Sequence, residues 1–267
     1  MVIVVGGGPA GIACAVQLKR SGIPVKIIER KRAGGLVWNA WRIENYPGFP
    51  EGISGEELAE RLERHLEEWD IPVLQEEVKR IEPGFRIFTN RNTHETEFVV
   101  VASGTIPRKP GIPGEDEVFY EVVDIPSQKG SVTVVGGGDI AFDYAINLSS
   151  RGYRVRIVAR GVRALSLLQE RAKERGVKIY TGWEIKGLEK TCVYAWKEGE
   201  VAFSSDYVLL ATGRLPNVDF IDKRALKEKN LFLAGDVKNG FMRQVAIACG
   251  DGVKTAMKIR RMYEGNF

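Results

Sequence analysis

The sequence predicts an α/β protein in which one β-α-β unit is used twice, and three observations carry that prediction. Val2-Ile-Val-Val-Gly-Gly-Gly-Pro-Ala-Gly11 returns as Val132-Thr-Val-Val-Gly-Gly-Gly-Asp-Ile-Ala141, a shift of 130 residues from Gly6 to Gly136. The shift holds without a gap, matching Leu18 to Leu148, Gly22 to Gly152, Val25 to Val155 and Ile27 to Ile157, so a whole supersecondary unit recurs. A shorter echo, Val100-Val-Ala-Ser-Gly-Thr-Ile-Pro107 against Leu209-Leu-Ala-Thr-Gly-Arg-Leu-Pro216, supplies two buried strands that each break at a glycine.

Each long copy reads in order. An apolar run of strand length meets a glycine cluster; a helix-compatible stretch follows, Ala10 to Lys19 or Ile140 to Ser150. Gly22-Ile-Pro-Val-Lys-Ile-Ile-Glu29 and Gly152-Tyr-Arg-Val-Arg-Ile-Val-Ala159 then provide second strands, parallel to the first by a right-handed crossover. Ser54-Gly-Glu-Glu57 is a capping box, in which the serine and a glutamate three residues on satisfy orphan amides. It opens an amphipathic helix to about Trp69, with Leu58, Leu62, Leu66 and Trp69 as an apolar stripe for the core. From Phe85 to Val101 the pattern suits short antiparallel strands and then a buried one, and Arg243 to Tyr263 suits a long closing helix. Pro107-Arg-Lys-Pro-Gly-Ile-Pro-Gly114 has the stiffness of a linker, so domain crossings are expected there and near Gly213.

Composition bounds the chemistry. Apolar content of 44% with 28% charged residues excludes wholesale disorder in the 267-residue chain. The opening apolar run stops at Gly6, far short of a membrane span, and no basic segment precedes it, so a cytoplasmic protein is expected. Cys14, Cys192 and Cys249 form no C-x-x-C pair or metal-ligand spacing and read as small buried residues. With two histidines in the chain, no metal site is expected. The net charge of +4 is spread among glutamates without an aromatic-interleaved basic patch, which argues against nucleic acid.

Both glycine clusters have the form that binds a pyrophosphate. In the first, Gly6 permits the turn out of the strand, Gly8 lets backbone approach the ligand and Gly11 lets the helix pack on the strand. Pro9 takes the first helical position, where its missing N–H costs nothing. Phosphate then meets free amides and the positive end of the helix dipole. Glu29, 23 residues beyond Gly6, ends the second strand, where a carboxylate accepts hydrogen bonds from ribose hydroxyls. The same count from Gly136 reaches Ala159, followed by Arg160 and Arg163. Guanidinium groups pair a 2′-phosphate that a carboxylate would repel, so the second site favours NADPH over NADH. Gly136-x-Gly138-x-x-Ala141 carries alanine at its third position, an accepted variant. The bland readings stay beside these: Glu29, Arg160 and Arg163 as solvated charges, and the second copy as a vestigial domain.

These residues resemble the low-molecular-weight thioredoxin reductases and the related ferredoxin-NADP reductases over nearly the full length. Gly34-Gly35 and Glu44-Asn45-Tyr46-Pro47-Gly48-Phe49-Pro50-Glu51-Gly52 resemble the family's flavin-contacting segment. Ile112-Pro113-Gly114 resembles the start of its NADPH domain, and Leu231-Phe-Leu-Ala-Gly-Asp236 its second FAD motif. The resemblance implies two Rossmann-like (three-layer ββα) dinucleotide-binding domains, an FAD domain over 1–107 and 214–267 with the NADPH domain, 108–213, inserted. For FAD it implies Gly6, Gly8, Pro9, Ala10 and Gly11 at the turn, Glu29 and Arg30 at the strand end, Gly35, Leu36, Val78, Ala102 and Gly104 as further contacts, and Asn45 at the flavin. Gly235 and Asp236 would hold the ribityl chain. Arg243, Gln244 and Val245 would open a helix whose positive end faces the pyrimidine edge, where reduced flavin carries negative charge. For NADPH it implies Gly136, Gly138, Asp139, Ile140, Asp143, Arg160, Arg163 and Gly213, with Asp143 near the nicotinamide.

The departures bear on function. Where thioredoxin reductases carry a redox C-x-x-C, this chain has Val118-Phe-Tyr-Glu-Val-Val-Asp-Ile-Pro126, so no thiol stands there to relay electrons. Ile140 replaces a serine of the family's phosphate site, and Ala159-Arg160 is what remains of its His-Arg-Arg cluster. Trp38 and Trp41 replace small polar residues, and stacking on the flavin, shielding it and filling space are all open to them. The expected activity is hydride transfer from NADPH to flavin, with no side-chain acid, base or nucleophile. Electrons then pass directly to ferredoxin, another redox protein, a quinone or oxygen. The alternative is an FAD-binding electron-transfer or assembly subunit that does not oxidise NADPH productively. An acidic ferredoxin suits the mildly basic chain, and a homodimer is expected from the resemblance.

Overall fold

The computed structural model describes residues 1–265. Its contacts separate the chain into two compact units: Met1–Trp38 with Ile43–Ile106 and Leu215 onward, and Asn39–Arg42 with Pro107–Arg214.

The first unit is built on a five-stranded parallel sheet, in the order Leu231–Leu233, Phe98–Val101, Val2–Val5, Val25–Glu29, Val73–Gln75. Val2–Val5 lies at its centre and is buried at every residue, as an all-apolar strand must be when elements cover both faces. Helix α1 (Pro9–Arg20) returns the chain to Val25–Glu29, with Val2 paired to Val25 and Val5 to Ile28. Helix α2 (Gly55–Glu68) starts where the capping box places it, with the Glu57 amide donating to Ser54 Oγ at 3.1 Å. Leu58, Leu62 and Leu66 are buried, but Trp69 departs from the stripe: it caps the helix just past its last turn and stays 39% exposed. Residues 78–95 form a three-stranded antiparallel sheet before the buried strand Phe98–Val101.

The second unit repeats the plan. Its parallel sheet runs Lys178–Thr181, Arg154–Ala159, Ser131–Val135, Tyr207–Leu210. Val132 pairs with Val155, the same register as Val2 with Val25 after the 130-residue shift. Helix α3 (Asp139–Ser150) makes the crossover, and α4 (Ser166–Glu174) precedes the edge strand Lys178–Thr181. A three-stranded antiparallel sheet, Glu184–Glu189, Cys192–Trp196 and Glu200–Ser204, completes the unit. Helix α5 (Val245–Tyr263) closes the first unit instead, lying on α1 so tightly that a Cβ on Gly252 would stand 2.1 Å from the Ala10 carbonyl oxygen. Among the described residues no helix is long and apolar enough to cross a membrane, and no group of His, Cys, Asp and Glu is arranged to hold a metal ion.

Candidate functional site

The first glycine turn is crowded on its protein side and open on the other. A Cβ on Gly6 would stand 2.4 Å from the Ala102 carbonyl oxygen, and one on Gly11 would stand 1.9 Å from that of Gly6. Gly8 meets nothing within 4 Å. The N-terminus of α1, with Pro9 at its first position and no side chain capping it, faces that open space. Backbone can therefore approach a phosphate there and the helix end can stabilise its charge, so the residues present fit the ADP portion of FAD.

Several expected residues gather at this turn. Glu29 Oε2 accepts the Gly7 amide at 2.7 Å and its Oε1 accepts the Lys31 amide at 2.9 Å, fixing the carboxylate at the strand end. Arg30, next to it, is exposed. The Gly34 amide donates to the Gly7 carbonyl at 2.7 Å, and Gly35 lies over Gly8, within 3.1 Å of its Cα at the Cβ position. Leu36 follows in a short 3-10 turn. A Cβ on Gly235 would meet that of Ala10 at 2.7 Å, which sets Gly235 and Asp236 against the start of α1. Asn45 Nδ2 donates to Gln244 Oε1 at 2.7 Å across 199 residues; Gln244 immediately precedes α5 without a capping bond from its side chain, with Arg243 before it and Val245 the first helical residue. Gly104 accepts the Asn217 amide at 3.1 Å just beyond Ala102. Val78 stands apart from the turn, opening the strand Val78–Glu82; the chain just before it meets the strand end, where Gln75 pairs with Glu29 and the Glu76 amide donates to the Glu29 carbonyl at 3.1 Å.

The second turn has the same steric signature. A Cβ on Gly136 would meet the Ala211 carbonyl oxygen at 2.3 Å, two residues before Gly213, while Gly138 is open. The strand end at Ala159 is buried and bears no carboxylate, while Arg160 and Arg163 are exposed. Asp139 and Ile140 begin α3, both exposed, so this helix, unlike α1, has an acidic residue in its first turn.

Asp143 lies one helical turn further on. Its Oδ2 accepts the Trp41 amide at 3.1 Å. Burial pushes its carboxyl up to about 7, which that single hydrogen bond only partly opposes. Asn147, a turn later, donates to the Asn39 carbonyl at 2.7 Å. The Trp41 ring lies against two guanidinium groups, that of Arg175 at 4.5 Å from its centroid and that of Arg171 at 5.4 Å. Trp38 is covered by Arg32 at 3.7 Å and donates to the Ala33 carbonyl. Both tryptophans thus have partners in arginine stacks.

Residues 118–126 hold an ion pair that sequence reasoning missed. Glu121 Oε1 accepts Arg214 Nη1 at 2.8 Å, with the two side chains 13% and 7% exposed. Glu121 Oε2 accepts Asn39 Nδ2 and the Tyr144 hydroxyl, each at 2.9 Å. A lone carboxylate inside the apolar run Val118–Val123 was the available signal, since a charge there needs a buried partner. Phe119 joins the sheet beside Leu209. All three cysteines are free thiols. Cys14 is buried and burial pushes its thiol to about 12; Cys192 is buried as well, whereas Cys249 is only partly so, its thiol 3.8 Å from both the Tyr46 hydroxyl and the Pro9 carbonyl.

Comparison with known proteins agrees with this geometry. A family model described as pyridine nucleotide-disulphide oxidoreductase matches residues 1–252. The thioredoxin reductase of Bacillus subtilis (strain 168) is 29% identical over 300 residues, covering 98% of this chain and 94% of that protein. The ferredoxin–NADP reductase of Ignicoccus hospitalis is 32% identical over 287 residues, covering 94% of this chain and 93% of that one. The crystal structure of T. acidophilum thioredoxin reductase matches with a TM-score of 0.86 at 26% identity, over 98% of each chain. The resemblance read from the motifs and the Rossmann-like α/β fold are both borne out.

Proposed function

Since the chain belongs to the pyridine nucleotide-disulphide oxidoreductase family, we propose that it is an FAD-dependent NADPH oxidoreductase whose electrons leave for an external acceptor without a redox disulfide. The observation that carries this reading is the pair of like turns with unlike strand ends. Glu29 is held by two backbone amides where ribose hydroxyls would donate, and Ala159 with exposed Arg160 and Arg163 takes the same place in the second unit.

When bound, the flavin and nicotinamide would supply the hydride and electron chemistry. The chain's own part is binding, orientation and charge. Gly8 and Gly138 leave room for the two pyrophosphates. Gln244, fixed by Asn45, sets the N-terminus of α5 in place, and that positive end would favour a negatively charged flavin edge. No dithiol relay is available to residues 118–126, whose interior is taken up by the Glu121–Arg214 pair. The acceptor would be ferredoxin, the partner named for the Ignicoccus relative, or another redox protein, a quinone or oxygen. A homodimer belongs to this reading through the family resemblance alone.

Anaerobic titration of the yellow holoprotein tests the reading. NADPH should bleach the flavin band, and Arg160→Ala should raise the KM for NADPH more than for NADH. A flavin band untouched by either nucleotide would leave only an electron-transfer or assembly subunit.

A further inference from the structure

The loop that carries Arg160 and Arg163 is fastened to the second glycine turn. The Arg163 and Ala164 amides donate to the Gly137 carbonyl at 2.7 and 3.1 Å, and the Arg160 carbonyl accepts the Gly182 amide at 3.2 Å. A Cβ on Gly137 would stand 1.9 Å from the Gly161 carbonyl oxygen, so the loop lies directly on the turn. Those contacts are all backbone. From the turn itself one side chain joins them: Asp139 Oδ1 accepts the Leu165 amide at 2.9 Å, while on the α4 side Gln169 Nε2 donates to the Ala164 carbonyl at 2.7 Å.

The first copy shows what this replaces. After the 130-residue shift, the Gly34 amide on Gly7 corresponds to the Ala164 amide on Gly137. The bracing carboxylate, however, is in a different place. In the first copy it is Glu29, at the strand end, holding the Gly7 amide, and the counterpart of Asp139 is Pro9, whose side chain has no acceptor to offer. In the second copy the strand end is Ala159, and the carboxylate has moved to the first residue of α3.

We propose that Asp139 is a positioning residue for 2′-phosphate recognition, holding the Arg160–Leu165 loop on the glycine turn so that both arginines face one phosphate. The inference rests on the NADPH reading above and deepens it. A carboxylate at position 159 would brace the turn but repel a 2′-phosphate. Placed at 139 and bonded to the Leu165 amide, it braces the same turn from the other side and leaves the strand end free of negative charge. What the loop needs from this side chain is an acceptor oxygen, not its charge.

Two nucleotides without redox chemistry provide the test, adenosine 2′,5′-bisphosphate and 5′-AMP, titrated calorimetrically into the full-length holoprotein. The wild type should bind the bisphosphate at least about tenfold more tightly than AMP. Asp139→Ala should reduce that ratio to about threefold or less, whatever its effect on the affinity for AMP itself. Asp139→Asn, which keeps the acceptor, should retain the wild-type ratio. Leu165→Pro deletes the same hydrogen bond from its other end, at a φ of −51° that proline accepts, and should match Asp139→Ala, so the test survives if either variant fails to fold. A wild type without bisphosphate preference overturns the inference, as does an unchanged ratio in Asp139→Ala and Leu165→Pro, or a drop in Asp139→Asn equal to that in Asp139→Ala. If NADPH fails to bleach the flavin while the ratios behave as expected, the oxidoreductase reading falls and the positioning role stands.

Discussion

Replacing Glu29 with alanine should weaken FAD binding strongly and leave FMN binding unchanged. The carboxylate is held at both oxygens by backbone amides, Gly7 at 2.7 Å and Lys31 at 2.9 Å, so it is already oriented at the strand end before a ribose arrives. Two hydroxyl donors to an ionised acceptor would each contribute about 1.5–3 kcal/mol. Water recovers part of that for the freed hydroxyls in the variant, which leaves a net loss of about 2–4 kcal/mol. At 1.4 kcal/mol per decade this is about 30- to 700-fold in Kd. FMN carries the flavin and one phosphate but no adenosine ribose, so its affinity reports any loosening of the glycine turn by itself. The assay is quenching of flavin fluorescence on titrating apoprotein with each ligand. An equal loss for FAD and FMN would mean that Glu29 only braces the turn. A loss under about threefold for FAD would refute the ribose assignment altogether.

Two further outcomes follow from the second unit. Arg214→Leu leaves the Glu121 carboxylate buried without its cation, and urea unfolding should register a loss of about 3–5 kcal/mol. Adding Glu121→Gln to that variant should recover more than half, and a single-variant loss under about 1 kcal/mol would contradict the burial argument. The Asp143 carboxyl is raised from 3.8 to about 7, so the folded state holds more protons than the unfolded chain between those values, and stability falls as pH rises through that window. Asp143→Asn cannot ionise and should be more stable than wild type by on the order of 1–3 kcal/mol at about pH 8, with no gain at about pH 3.5; a difference independent of pH would sink that account.

Much of this architecture was legible because it is written twice. A gapless 130-residue shift constrains strand, turn, helix and strand together, and the identical registers at Val2–Val25 and Val132–Val155 are its physical consequence. Ser54 was legible because a cap is a local property of four residues. What escaped has no local period. Asn39–Arg42 groups with the second unit through Asp143, Asn147 and Glu121, each about a hundred residues away in sequence, and no pattern in four residues announces such partners. The Glu121–Arg214 pair is equally remote, at a separation of 93 residues. Trp69 misled because its spacing continues the leucine stripe one step past the point where the backbone leaves the helix.

Duplication also sharpens the question of how one scaffold would tell two dinucleotides apart. Sterics do not do it, since Gly6 and Gly136 press on equivalent carbonyls and Gly8 and Gly138 are equally open. Charge at the strand end is what remains. Two like charges about 4 Å apart cost roughly 4 kcal/mol at the effective dielectric of a protein surface, more than a single hydrogen bond can return. On the proposed reading, exchange of Glu29 for its counterpart Ala159 would decide whether a 2′-phosphate is tolerated, and Arg160 and Arg163 would convert tolerance into preference. The turn still needs a brace once that carboxylate is gone. In the second unit the brace stands at Asp139, where its hydrogen bond runs to the loop rather than to the turn, so ligand choice and loop support would be separated onto different residues in one unit and combined on Glu29 in the other.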